Sequence, residues 1–105
     1  LIVIKKNGRK SSFDREKLSK SIYVALKKRP IDTETTEKFI SKISRALDEL
    51  GQSEILSNTI GTMVMEGLKE LDPVAYVRFA SVYRNFREEK DFVQFVDRID
   101  VFKKR

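Results

Sequence analysis

The 105-residue chain has room for one domain around a single core, and its 40% apolar and 36% charged residues describe a folded, helix-rich body, not a disordered one. It contains neither Cys nor His, which excludes disulfides, thiol nucleophiles, imidazole bases and Cys/His zinc centres, and with them triad-type hydrolysis. The net charge of +6 is concentrated in residues 1–30, where ten Lys/Arg face only Asp14 and Glu16, while the remaining 75 residues carry −2. That asymmetry excludes a uniformly basic nucleic-acid coat and points to one electropositive region on a balanced body.

In chain order, Ile2, Val3 and Ile4 form a β-rich run, Asn7-Gly8 is a hairpin signal, and residues 9–13 can return as a second short strand. Asp14 is placed to cap a first helix over about residues 15–28, with Leu18, Ile22, Ala25 and Leu26 inward and Pro30 as its stop. Thr33 or Asp32 can cap a second helix whose stripe is Phe39, Ile40, Ile43, Leu47 and Leu50, closed by Gly51. Ser57 is expected to cap a third helix with Ile60, Val64 and Leu68 inward. Asp72-Pro73 ends that helix and starts a fourth, expected to be the longest, with Pro at its first position.

Tyr76, Phe79, Ala80, Tyr83 and Phe86 then form an aromatic stripe, most of it core. Residues 91–105 add Phe92, Phe95, Val96, Ile99 and Phe102, more large apolar side chains than a short solvated tail needs, and so are expected to form a helical tail that meets a partner. No stretch approaches the ~20 apolar residues of a membrane span. The chain is expected to be cytoplasmic. It opens on Leu1 inside a strand pattern without an initiator Met, as a fragment with a segment upstream would.

The motif with chemistry is Lys5-Lys6-Asn7-Gly8-Arg9-Lys10, followed by Lys17 in the next helix. A triphosphate needs converging backbone N–H donors in a tight turn or at a helix start, with Lys or Arg neutralising its oxygens, and this segment offers both. Neither GxxxxGK[ST] nor GxGxxG occurs, so the two common nucleotide folds are excluded. Alone, the turn reads more readily as a solvated hairpin tip, Tyr76, Phe79 and Tyr83 as packed residues, and Lys103-Lys104-Arg105 as a disordered end.

Taken together, Val3-Ile4-Lys5-Lys6-Asn7-Gly8 and Phe13-Asp14-Arg15-Glu16-Lys17-Leu18 resemble the opening of the ATP-cone family. The run "EILSNTIGTMVMEGLKELDPVAYVRFASVYRNF" is similar to the ATP-cones of NrdR-type bacterial transcriptional repressors of ribonucleotide reductase genes, and the resemblance covers nearly the whole chain. It implies an α+β, mainly helical fold: an N-terminal β-hairpin followed by a four-helix cone over residues 1–90, with an additional C-terminal helical tail over 91–105 as an oligomer contact. It implies a switch and not an enzyme, binding ATP and dATP with Mg²⁺ carried by the triphosphate. Promoter DNA would be held by an upstream zinc ribbon with its own Zn²⁺, outside this chain.

By position, the resemblance implies that Val3 and Lys5 hold base and phosphate, that Lys6, Asn7, Gly8 and Arg9 form the phosphate turn, that Lys17 reaches phosphate and that Ser57 supplies a hydroxyl. Tyr83 joins them as a stacking surface. Two positions depart from the family: Lys6 stands where many cones carry Arg, and Gly61 where reductase cones often carry His, so no ligand role is carried to Gly61. The alternatives are the allosteric activity-site cone of a ribonucleotide reductase, and direct nucleic-acid binding by the basic hairpin with steep salt dependence.

Overall fold

A computed structural model describes residues 1–98. Strand β1 (Ile2–Ile4) and strand β2 (Lys10–Ser12) form the expected antiparallel hairpin, with Val3 opposite Ser11. Gly8 adopts φ +87°, a conformation that costs glycine nothing, and its N–H donates to the Lys5 carbonyl at 2.8 Å while the Asn7 side chain accepts from the Arg9 N–H at 3.0 Å.

Helix α1 (Arg15–Ala25) is capped by Asp14, whose carboxylate accepts from the N–H groups of Glu16 and Lys17. It ends three residues earlier than the periodicity predicts. The Arg78 guanidinium donates to the carbonyls of Ala25 at 3.2 Å and Lys27 at 2.7 Å, and Lys28 turns left-handed at φ 61°, so the helix is closed before Pro30 is reached.

Helix α2 (Thr33–Glu49) is capped by Asp32, and its buried face is Thr36, Ile40, Ile43 and Leu47. Leu50, expected in that stripe, lies past the last helical residue and is 47% exposed, because Gly51 at φ +64° turns the chain away.

Strand β3 (Glu54–Leu56) was not foreseen. It pairs parallel to β1, giving the order β2-β1-β3, and runs directly into helix α3 (Ser57–Leu71). The residue at the cap position of α3 is therefore Leu56, without a side-chain hydrogen bond, and Ser57 is the first helical residue, not the cap.

Helix α4 (Pro73–Tyr83) spans 11 residues, so α2 with 17 is longer; the aromatic periodicity continues to Phe86 but the helix does not, since Asn85 is left-handed at φ 57°. Helix α5 (Glu89–Asp97) supplies the helix expected in the tail.

The core is built from one stripe per helix: Leu18 and Ile22, Ile40 and Leu47, Val64 and Leu68, then Ala75, Tyr76 and Ala80. Phe95 of α5 is buried in this same core, with its ring 5.3 Å from both Tyr76 and Phe86. One large side chain of the tail is thus consumed internally, while Phe92 and Val93 remain 41% and 50% exposed. Ile99, Phe102 and Lys103-Lys104-Arg105 lie outside the described residues. No helix among the described residues is long and apolar enough to cross a membrane.

Candidate functional site

The sheet register assembles the first part of the site. Ile4 of β1 lies opposite Leu56 of β3 in parallel, so Lys5 and Ser57 leave the sheet side by side at the same edge. Lys5 opens the basic turn, and Ser57 opens α3. Val3, half-buried two residues before Lys5, lies between Ser11 and Ile55 in the middle of the sheet.

The start of α3 is where the backbone leaves donors without partners. A helix leaves its first N–H groups without intrahelical acceptors, and with Leu56 at the cap position no side chain takes them up. Those groups, and the positive end of the helix dipole, sit beside the Lys5–Arg9 turn.

Of the turn's cations, Lys10 is neutralised by Glu54 across the sheet at 2.9 Å, whereas Lys5, Lys6 and Arg9 make no ion pair among the described residues and are exposed. Asn7 and Gly8 shape the turn and carry no charge.

Tyr83 reaches the same helix start from α4. Its hydroxyl donates to the Asn58 carbonyl at 2.7 Å and also bonds the Asn58 side chain, and its ring lies where a Cβ on Gly61 would stand, 2.1 Å away. Gly61 is thus explained by packing: any larger residue evicts the Tyr83 ring. Tyr83 also stacks on Phe79 at 6.0 Å.

Lys17 is not among the turn residues. It is exposed on α1, which begins beside the end of the sheet opposite the turn, and lines a cleft of about 540 Å³ between α1 and α4 with Lys20, Arg78, Phe79 and Val82. Phe79, expected at the centre of the core stripe, is a half-buried wall of this cleft. The sequence reading missed three contributors. Asn58 anchors Tyr83, Lys20 follows Lys17 by one helical turn, and Arg78 is 61 residues from Lys17 in sequence. The spacing of Lys17 and Lys20 was a legible signal; the other two depend on the fold.

The opposite end of α3 is closed chemically. Asp72 is 4% exposed, accepts from Arg29 Nε and Nη2 at 2.9 and 3.1 Å, and caps α4 through the Ala75 N–H at 2.9 Å. Burial pushes its carboxyl up, but the Arg29 hydrogen bonds and charge together with the Ala75 N–H outweigh this and hold it below the usual carboxylate range.

Residues 1–89 match the family described as the ATP cone domain. Over all 105 residues the chain is 87% identical to the transcriptional repressor NrdR of Pelagibacter ubique, covering 69% of that protein. It is 55% identical to the transcriptional repressor NrdR of Azorhizobium caulinodans over 96% of the chain and 58% of the relative, and 56% identical to that of Rhodospirillum rubrum over 92% and 64%. The chain thus spans only part of the length of these relatives, whose names describe a regulatory and not an enzymatic role.

Proposed function

Because this chain belongs to the ATP cone domain family and aligns along its whole length with one transcriptional repressor NrdR, we propose that it is the nucleotide-sensing part of a bacterial repressor of ribonucleotide reductase genes. In this reading ATP or dATP, carried with Mg²⁺, occupies the region of Val3, the Lys5–Arg9 turn, Ser57 and Tyr83, with Lys17 reaching a phosphate. Occupancy sets how copies of the chain assemble, and assembly sets how a zinc ribbon elsewhere in the full-length cytoplasmic protein meets promoter DNA.

The observation that supports this reading most is the uncapped N-terminus of α3 beside three unpaired cations of the turn. Orphan N–H donors, an aligned helix dipole and mobile positive charge are what a polyphosphate requires. A membrane surface or nucleic acid would draw on the same charge, but the −2 balance beyond residue 30 leaves little further positive surface for an extended polyanion.

ATP and dATP differ by one 2′-hydroxyl, whose hydrogen bond is worth about 0.5–1.5 kcal/mol. A ligand shifts an assembly only by its differential affinity for the two states, so a bias of several-fold per site becomes visible when copies are coupled in one assembly. Calorimetric titration should give triphosphate binding, and light scattering at saturating ATP and at saturating dATP should give different molar masses. Equal masses across a tenfold range of protein concentration would remove the oligomeric switch, and absence of heat with both nucleotides would remove the sensor.

A further inference from the structure

Helices α2 and α3 lie side by side with a solvent-open groove of about 720 Å³ between them. Its floor is apolar, with Phe39, Met63 and Leu71 only half-buried, and the Phe39 ring takes the space that a side chain on Gly67 would fill: a Cβ there would lie 2.2 Å from the ring. The banks carry opposite charge. Lys38 and Lys42 stand four residues apart on α2, and Glu66 and Glu70 four residues apart on α3.

The Phe39–Gly67 contact sits between the members of each pair and so puts the two pairs at comparable height along the groove. Yet the banks do not neutralise one another. Among the described residues Lys38 pairs only with Glu34 of its own helix at 3.2 Å, with both side chains 77% exposed, and Lys42, Glu66 and Glu70 make no ion pair.

We infer that this groove is a two-fold docking face for a second copy of the same chain. An apolar floor flanked by one basic and one acidic bank is self-complementary under a two-fold axis running along the groove: the rotation brings each α2 bank over the partner's α3 bank at the same height. A purely acidic or purely basic peptide would satisfy one bank and be repelled by the other. Lys42 then meets Glu66 of the second copy, and Lys38 meets Glu70, around a closed patch of Phe39, Met63 and Leu71. This face names the surface for the self-assembly proposed above and rests on that reading.

The test uses Lys42→Glu and Glu66→Lys, both at exposed positions, studied by sedimentation velocity over a range of concentrations with and without saturating ATP. Each single variant should need at least about tenfold more protein to associate, because two attractive contacts per dimer become repulsive. An equimolar mixture of the two variants should recover the parental association, since each Glu at 42 then meets a Lys at 66 and each native Lys at 42 meets a native Glu at 66. Single variants that associate as the parent does, or a mixture that does not recover, overturn the groove while leaving self-assembly standing. A parent that stays monomeric under every condition overturns both, whereas nucleotide binding is read separately by calorimetry.

Discussion

Helices α3 and α4 follow one another with a single residue between them, yet their N-termini are finished in opposite ways. At α4 every requirement is met internally: Pro73 has no N–H to satisfy, Asp72 accepts from Ala75, and Arg29 neutralises Asp72 through two hydrogen bonds. At α3 a leucine stands where a Ser, Asp or Asn would cap, and Lys5, which leaves the sheet beside Ser57, is a cation that repels the helix dipole. A start that is completed by its own chain holds the fold together. A start that is left incomplete, beside unpaired lysines, is stabilised by whatever anion arrives. The contrast separates structural chemistry from binding chemistry inside one core.

The largest expected effect lies at the completed end. Asp72→Ala leaves the Arg29 guanidinium, whose side chain is 29% exposed, without its partner and removes the α4 cap, and should cost about 3–5 kcal/mol of stability in a denaturant melt. A loss under 1 kcal/mol would mean that the pair contributes nothing to the fold. The same group sets an acid dependence. Its folded pKa lies below the unfolded value of about 3.9, so its stabilisation is complete above that value and is lost as pH falls through the folded pKa. Asp72→Asn should therefore be less stable than the parent near neutrality, with the gap closing in the acid range. A gap that stays constant down to pH 2 contradicts this assignment.

Next in size are the cations at the open end. Lys5→Ala and Lys17→Ala should each weaken triphosphate binding about ten- to a hundredfold while leaving the thermal melt unchanged, because both side chains are exposed and make no ion pair among the described residues. The two variants also divide the site: Lys5 stands at the α3 start and Lys17 in the α1/α4 cleft. Loss at Lys5 with none at Lys17 would confine the ligand to the sheet edge.

Most of the helical architecture was legible in the sequence because its signals are local. Asp14, Asp32 and Asp72 cap the helices they precede, and the inward positions Ile22, Ile40, Val64 and Leu68 are fully buried. The misreadings arose where tertiary contacts decide. The α1 terminus is set by Arg78 reaching across from α4, and β3 is three residues long and exists only through its pairing with β1. Ser57 has the composition of a cap, but pairing of Leu56 with Ile4 moves the helix start one residue earlier than that role requires. In the tail, Phe95 counted toward an external surface because nothing local distinguishes a side chain that folds back onto Tyr76 from one that meets another molecule. The basic turn was visible as a motif, whereas the feature that gives it a ligand chemistry, an uncapped helix alongside, required the sheet register.

The smallest effect tests the contrast most directly, by giving α3 the cap that α4 already has. Leu56 has the extended conformation of a cap residue, φ −73° and ψ 137°, and is 54% exposed, so Leu56→Asn sacrifices little burial. An Asn carbonyl there can accept from the N–H groups of the first turn, a contribution of about 1 kcal/mol, reduced somewhat by the lower β-propensity of Asn at the strand end. Unlike Asp, it adds no charge, so any change in nucleotide affinity comes from competition for the donors and not from repulsion of phosphate. Whatever the cap contributes in the free chain, the ligand must displace, and the same free energy therefore appears with opposite sign in binding. The variant should melt slightly higher without nucleotide and bind triphosphate several-fold more weakly. If it gains stability and binds as the parent does, the α3 start is not where the phosphates sit, and the unpaired lysines of the turn serve another end.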